Sequence, residues 1–232
     1  MRIYLASPRS QLQAHAVNDM PVLVSFGAWS NWMRDYVHTY SHLLIDSGAY
    51  SVLNSGAKLD VMAYRDWHDQ WSDKADAVAG LDDIGGDYKL SLKNYAIGGG
   101  FPTMHDTDPE ELLPELIDLS REQGDSWLGI GLKPPRSGKE AWIRDTLERI
   151  PKDIHIHGWA LRAYAHLSRF GSMDSTNWWR NAFKIKTTFP FLTYGECVDI
   201  STKRYRRESG IRPEADSARS PTLFDERIEN EP

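Results

Sequence analysis

Short apolar runs of strand length recur along the chain, separated by stretches with a helical spacing of apolar positions. The runs are "RIYLAS" (2–7), "PVLVSFG" (21–27), "HLLIDSG" (42–48), "DAVAGLDD" (76–83), "FPTMHD" (101–106), "SWLGIGL" (126–132), "DIHIHGW" (153–159) and "FGSMDS" (170–175). Most are apolar nearly throughout, the pattern of parallel strands covered on both faces. Between them, Asp108-Pro109-Glu110-Glu111 predicts a helix start with an N-cap, a proline in the first turn and acids at the positive end of the dipole. Leu112, Leu113, Leu116, Ile117 and Leu119 then share one face, and Gly124 is the expected stop. Ser137 and Glu140 have capping-box spacing ahead of Trp142, Ile143, Leu147 and Ile150, and Tyr64, Trp67 and Trp71 fall at helical intervals within 60–73. Eight strand–helix alternations predict one parallel sheet, and the number eight suggests a compact (β/α)8 barrel closing near residue 186, within a domain of residues 1–200. The remainder, 201–232, is poor in aliphatics, first basic and then acidic, and reads as a flexible charged tail.

The totals add limits. A length of 232 residues suits one such domain, and 41% hydrophobic with 26% charged residues is ordinary for a globular protein. The net charge of −6 argues against indiscriminate binding to nucleic acid. Cys197 is the only cysteine, which excludes an internal disulfide and any zinc site needing two thiolates. "MRIYLASPRS" lacks the apolar core of a signal peptide and no run of 18 apolar residues occurs, so no membrane partner and a cytoplasmic location are expected.

In a (β/α)8 barrel the chemistry sits at the C-terminal ends of the strands. Here the ends carry Ser7, Phe26 with Gly27, Asp46, Asp82 with Asp83, His105, Gly131 with Lys133, His157 with Gly158, and Asp174. A lone strand-end aspartate is ordinarily a helix cap or turn former. Three strands delivering carboxylates to one rim are a costly arrangement unless they are paired or functional.

The stretch "LIDSGAYS" resembles the Asp-Ser-Gly-Gly-(Phe/Tyr) element of the tRNA-guanine transglycosylase superfamily. "SMDSTNWW" is similar to the strand that supplies that superfamily's nucleophilic aspartate. "AGLDD", "LGIGL" and "HIHGWAL" fall, in order, where it has its base-reading aspartate, a glycine-lined pocket wall and a strand with a glycine after a polar residue. The combination is closest to the phage-type branch, which exchanges guanine in DNA for a 7-deazaguanine (preQ0-type) base, and it spans roughly residues 2 to 186. Two features depart from the pattern. Ala49 replaces the second glycine, and with Cys197 alone the chain lacks the three-cysteine, one-histidine zinc site of the tRNA enzymes. The resemblance therefore implies DNA and a free 7-deazaguanine as partners, tRNA less so, and no cofactor.

The resemblance also implies roles. Asp174 would be the nucleophile, and Asp46 the acid/base that protonates the leaving guanine. Asp82, or next Asp83, would accept the N1–H and exocyclic amine of the base, with Ser47 and Gly48 turning the chain beneath it. Gly129 and Gly131 would bring backbone N–H groups to the O6 side, and Gly171 would leave room for a sugar. His157 joins the base-binding set, and Tyr50, Trp159 and Trp178 are candidates to stack on a flipped base. Helix capping by Asp174 and core packing by the tryptophans are the plainer alternatives. "KRYRR", with Lys203, Arg204, Arg206 and Arg207, could track a nucleic-acid backbone or simply be solvated.

Two other functions compete. His155 and His157 share a strand face, a spacing used by metal-dependent hydrolases. Alternatively, the barrel could serve as a nucleic-acid-binding subunit without catalysis.

Overall fold

All eight apolar runs fold as strands: β1 (Arg2–Ala6), β2 (Pro21–Ser25), β3 (His42–Asp46), β4 (Ala77–Val78), β5 (Thr103–His105), β6 (Trp127–Gly131), β7 (His155–Gly158) and β8 (Ser172–Ser175). The structure, a computed structural model, describes residues 1–50, 58–123, 125–134 and 137–208. Every strand pair is parallel, and the sheet order is β4-β3-β2-β1-β8-β7-β6-β5. The sheet curls, flanked by helices. Its two end strands share no ladder. One isolated bridge, Ala79 with Phe101, links them through Phe101 N–H to Val78 O and Gly80 N–H to Phe101 O, both 2.8 Å. The structure thus has a curled eight-stranded parallel sheet, and the expected closed barrel, a continuous ring of ladders, is not formed.

Alternation along the strands separates two cores. Outward residues, among them Leu5, Val22, Val24, Ile45, Leu128, Ile130 and Ile156, pack against the helices. Inward residues, Tyr4, Ala6, Leu23, Leu44, Ala77, Ala79, Phe101 and Trp127, form a second cluster of small and aromatic side chains that fills the interior. The apolar runs show no alternation because both faces are dry.

The helices are α1 (Gln11–Ala16), α2 (Val61–His68), α3 (Tyr88–Gly98), α4 (Leu113–Glu122), α5 (Glu140–Arg149), α6 (Asn177–Thr188) and α7 (Tyr194–Glu208). Asp60 caps α2 through Met62 and Ala63 N–H, and Asp87 caps α3 through Lys89 and Leu90 N–H. Two expected caps are not made. Asp108 accepts from its own loop, His105 N–H at 2.8 Å, and α5 starts after Lys139 with no side-chain cap. The expected stop at Gly124 lies outside the described residues. Strand and helix do not alternate throughout: β2 reaches β3 through three 3-10 turns, and β7 reaches β8 through one at Arg162–Tyr164.

The boundary drawn at residue 201 needs correction, because α7 runs through it to Glu208. Cys197, Val198 and Tyr205 are buried, and this helix packs on α6, α1 and β1. Gln13 Nε2 donates to Tyr194 Oη at 2.7 Å, and Arg206 Nη2 donates to Ala16 O at 2.9 Å, closing the end of α1. Residues 209–232 lie outside the described part.

Candidate active site

Inward positions bring together Ser25, Asp46, His105, His157 and Asp174 at or near the C-terminal ends of their strands, with Thr103 and Ser172 at the starts of β5 and β8 and Asp82 in the loop after β4. Asp46 stands level with Ser25 across the β2–β3 ladder and accepts a 2.7 Å bond from the Ser25 hydroxyl. Burial pushes its carboxyl up to about 6. Bonds from Ser25 and the Gly48 N–H hold it down, while the charges of Asp82 and Asp174 add to the rise. Asp46 therefore lies within the fields of both Asp82 and Asp174.

Asp82 is nearly enclosed and faces His105 Nε2 at 3.2 Å. On its other side His105 Nδ1 lies 3.5 Å from Asp108, whose carboxylate also accepts the His105 N–H. Burial alone would lower the His105 imidazole, but the two carboxylates win and raise it to about 9. His105 is thus an imidazolium clamped between Asp82 and Asp108. It was legible as a strand-end histidine, but nothing in its neighbourhood of the sequence signalled Asp82, a residue from another strand, as its partner.

Asp174 is buried, and its Oδ1 accepts the Ala160 N–H at 2.6 Å. Ala160 holds a left-handed φ of 53°, which turns that N–H inward. His157, fully buried, places Nε2 3.7 Å from the same Oδ1. Asp174 does not cap α6, whose N-cap Thr176 makes no side-chain bond, so the plainer alternative for this residue is set aside.

Other expected site residues sit differently. Asp83 spends its carboxylate on the Asp87 N–H at 2.8 Å, a turn-forming role. Ser47 is buried and accepts from Ala49 N–H. Gly48 has φ 76°, and an added Cβ would lie 2.9 Å from Gly27 N, so its turn packs closely on the neighbouring loop. Gly129 and Gly131 do not offer an open backbone wall. Gly129 N–H donates to Pro102 O at 2.8 Å, and added Cβ atoms would meet Trp159 Nε1 at 2.4 Å and His105 Cδ2 at 2.7 Å. These glycines make room for the protein's own indole and imidazole. Likewise the space above Gly171, expected for a sugar, is occupied by His155.

Among the aromatics, Trp159 is half-buried, stacks on Phe101 at 6.0 Å and donates to Thr103 Oγ1 at 3.0 Å. Tyr50 is exposed. Trp178 is fully buried and donates to Ala6 O, a core residue, and Trp67 and Trp71 pack with Phe26 and Trp29. In the basic run, Lys203 and Arg207 are exposed on α7, Arg204 lies in the same helix, and Arg206 is tied to α1. Tyr205 packs in the outer layer: its hydroxyl is 3.3 Å from Ser175 Oγ and the Arg162 guanidinium lies 4.8 Å above its ring.

His155 and His157 do share a face, but both rings bond the Ser172 hydroxyl, at 2.8 and 2.9 Å. Among the described residues no group of three or more His, Cys, Asp or Glu is placed to hold a metal ion, and no helix is long and apolar enough to cross a membrane. No protein-family model matches this chain, and no curated protein matches it.

Proposed function

We propose that this chain is a base-exchange transglycosylase that replaces guanine in DNA by a 7-deazaguanine, on a sheet that functions as a barrel of the (β/α)8 type. The observation that carries this reading is the convergence of Asp46, Asp82 and Asp174 at one mouth, in three distinct states. Asp46 is raised to about 6, Asp82 is paired with a cationic His105, and Asp174 is gripped by one oxygen.

Each state suits a step. Among the described residues Ala160 and His157 address Oδ1 of Asp174, and no donor is placed on Oδ2. Oδ2 attacks C1′ as the C1′–N9 bond breaks, giving a glycosyl ester, and the incoming base later displaces it at C1′. A carboxyl poised near 6 can give a proton to departing guanine and take one from the incoming base, which is the role of Asp46. Asp82, paired with His105, accepts the two donors on the Watson–Crick edge. The flipped base stacks on Trp159. The choice of DNA over tRNA rests on the resemblance to the phage-type branch.

The test is transfer of a labelled 7-deazaguanine into duplex DNA, single-stranded DNA or tRNA, wild type against Asp174→Ala. Label in DNA that depends on Asp174 is the expected result. Label in tRNA would replace the polymer and keep the mechanism, whereas no label in any of the three would overturn the reading.

A further inference from the structure

A line of polar groups crosses the inside of the sheet, from its N-terminal face to Asp174. It starts at His155, whose ring stacks on Trp127 at 3.8 Å. Both residues line a cavity of about 620 Å³ at the N-terminal face, together with Arg2, His42 and Asp76. His155 Nε2 lies 2.8 Å from Ser172 Oγ, and Ser172 Oγ lies 2.9 Å from His157 Nδ1. His157 Nε2 is buried without a hydrogen-bond partner and points at Asp174 Oδ1, 3.7 Å away. Gly171 is what admits the first ring, since a Cβ there would meet it at 2.5 Å.

Charge sets the direction of every donor along this line. A bare imidazole nitrogen facing a carboxylate oxygen would be repelled, so Asp174 selects the tautomer of His157 with hydrogen on Nε2. With hydrogen on Nε2 alone, Nδ1 of His157 accepts from the Ser172 hydroxyl, its partner among the described residues. The Ser172 oxygen, having donated, accepts from His155 Nε2–H. One anion thus fixes two tautomers and one hydroxyl rotor.

We propose that His155, Ser172 and His157 are positioning residues that hold an N–H against Asp174 Oδ1 and leave Oδ2 as the attacking oxygen. The assignment of an attacking oxygen rests on the transglycosylase reading; the assignment of tautomers does not. At 3.7 Å the last contact is electrostatic, and such contacts tighten when substrate brings charge to the site. No bond forms or breaks in this line during the reaction.

Nitrogen-15 spectra of the histidines in the full chain, without nucleic acid, test this. Both His155 and His157 should carry hydrogen on Nε2, with Nδ1 of His157 bare. Ser172→Ala should shift His157 Nδ1 towards an unbonded acceptor and lower kcat for exchange about tenfold, with KM for the free base unchanged. His155→Phe keeps the stack on Trp127 and should give a smaller loss in the same direction, which covers failure of the alanine variant to fold. Hydrogen on Nδ1 of His157 would overturn the proposal. So would spectra and kcat indifferent to both substitutions. If wild type exchanges no base but the Nε2–H pattern holds and responds to Ser172→Ala, the tautomer assignment stands and only the transglycosylase reading, with its attacking oxygen, falls.

Discussion

Burial and the fields of Asp82 and Asp174 raise the Asp46 carboxyl from 3.8 to about 6. At pH 7 it is mostly ionised, yet near enough to neutrality to exchange a proton. The same shift costs stability. Between pH 4 and 6 the folded state binds more protons at this site than the unfolded one, so stability falls as pH rises through that window and stays lower above it. Asp46→Asn removes the charge and keeps an acceptor for the Ser25 hydroxyl. It is expected to stabilise the protein at pH 7 by about 1–2 kcal/mol, discounted for the partial exposure of the group, and to have little effect near pH 3.5. Exchange should drop by on the order of 10²-fold or more. Urea unfolding at the two pH values, with an exchange assay, checks both halves; an Asn variant less stable at pH 7 would contradict the account.

At the scale of elements, the strands were legible because parallel strands dry on both faces leave uninterrupted apolar runs, as in "HLLIDSG" and "SWLGIGL". What each glycine faced was not legible. Gly129 and Gly131 read as openings, but the occupants are Trp159 and His105, brought there by neighbouring strands. The three aspartates were legible as strand ends, whereas the His105 clamp depends on contacts between strands that no local pattern encodes. Helix α7 escaped because its apolar face is narrow, chiefly Cys197, Val198 and Tyr205 among charged neighbours, so composition argued for a tail. Its packing gives a prediction. Tyr205 is 3% exposed, covered by Arg162 and placed against Ser175, next to Asp174. Tyr205→Ala should cost about 3 kcal/mol, as for other buried aromatics truncated to alanine. It should also loosen the end of α7, so that trypsin cuts after Lys203 or Arg207 sooner than in wild type. Equal cleavage rates and equal unfolding midpoints would show that the helix end is not held by this ring.

At the scale of the whole molecule, the sheet's two ends meet at the Ala79–Phe101 bridge, where the ladder is weakest. Asp82 follows β4 on one side of this seam, and His105 ends β5 on the other. The Asp82–His105–Asp108 clamp therefore spans the seam and does by charge what a full ladder does elsewhere by backbone bonds. Its pH dependence has a definite sign. The His105 imidazole rises from 6.5 to about 9 on folding, so its contribution is fully present below pH 6.5 and is lost as pH rises through 9. His105→Gln should cost on the order of 2–3 kcal/mol at pH 6, and the difference from wild type should shrink towards zero by pH 10. Comparing the two proteins at each pH cancels the titration of groups they share. Hydrogen exchange at pH 6 should locate the loss in β4 and β5, with amides of β1 and β2 moving less. A gap between the two proteins as wide at pH 10 as at pH 6 would mean that packing of the imidazole, and not its charge, joins the seam.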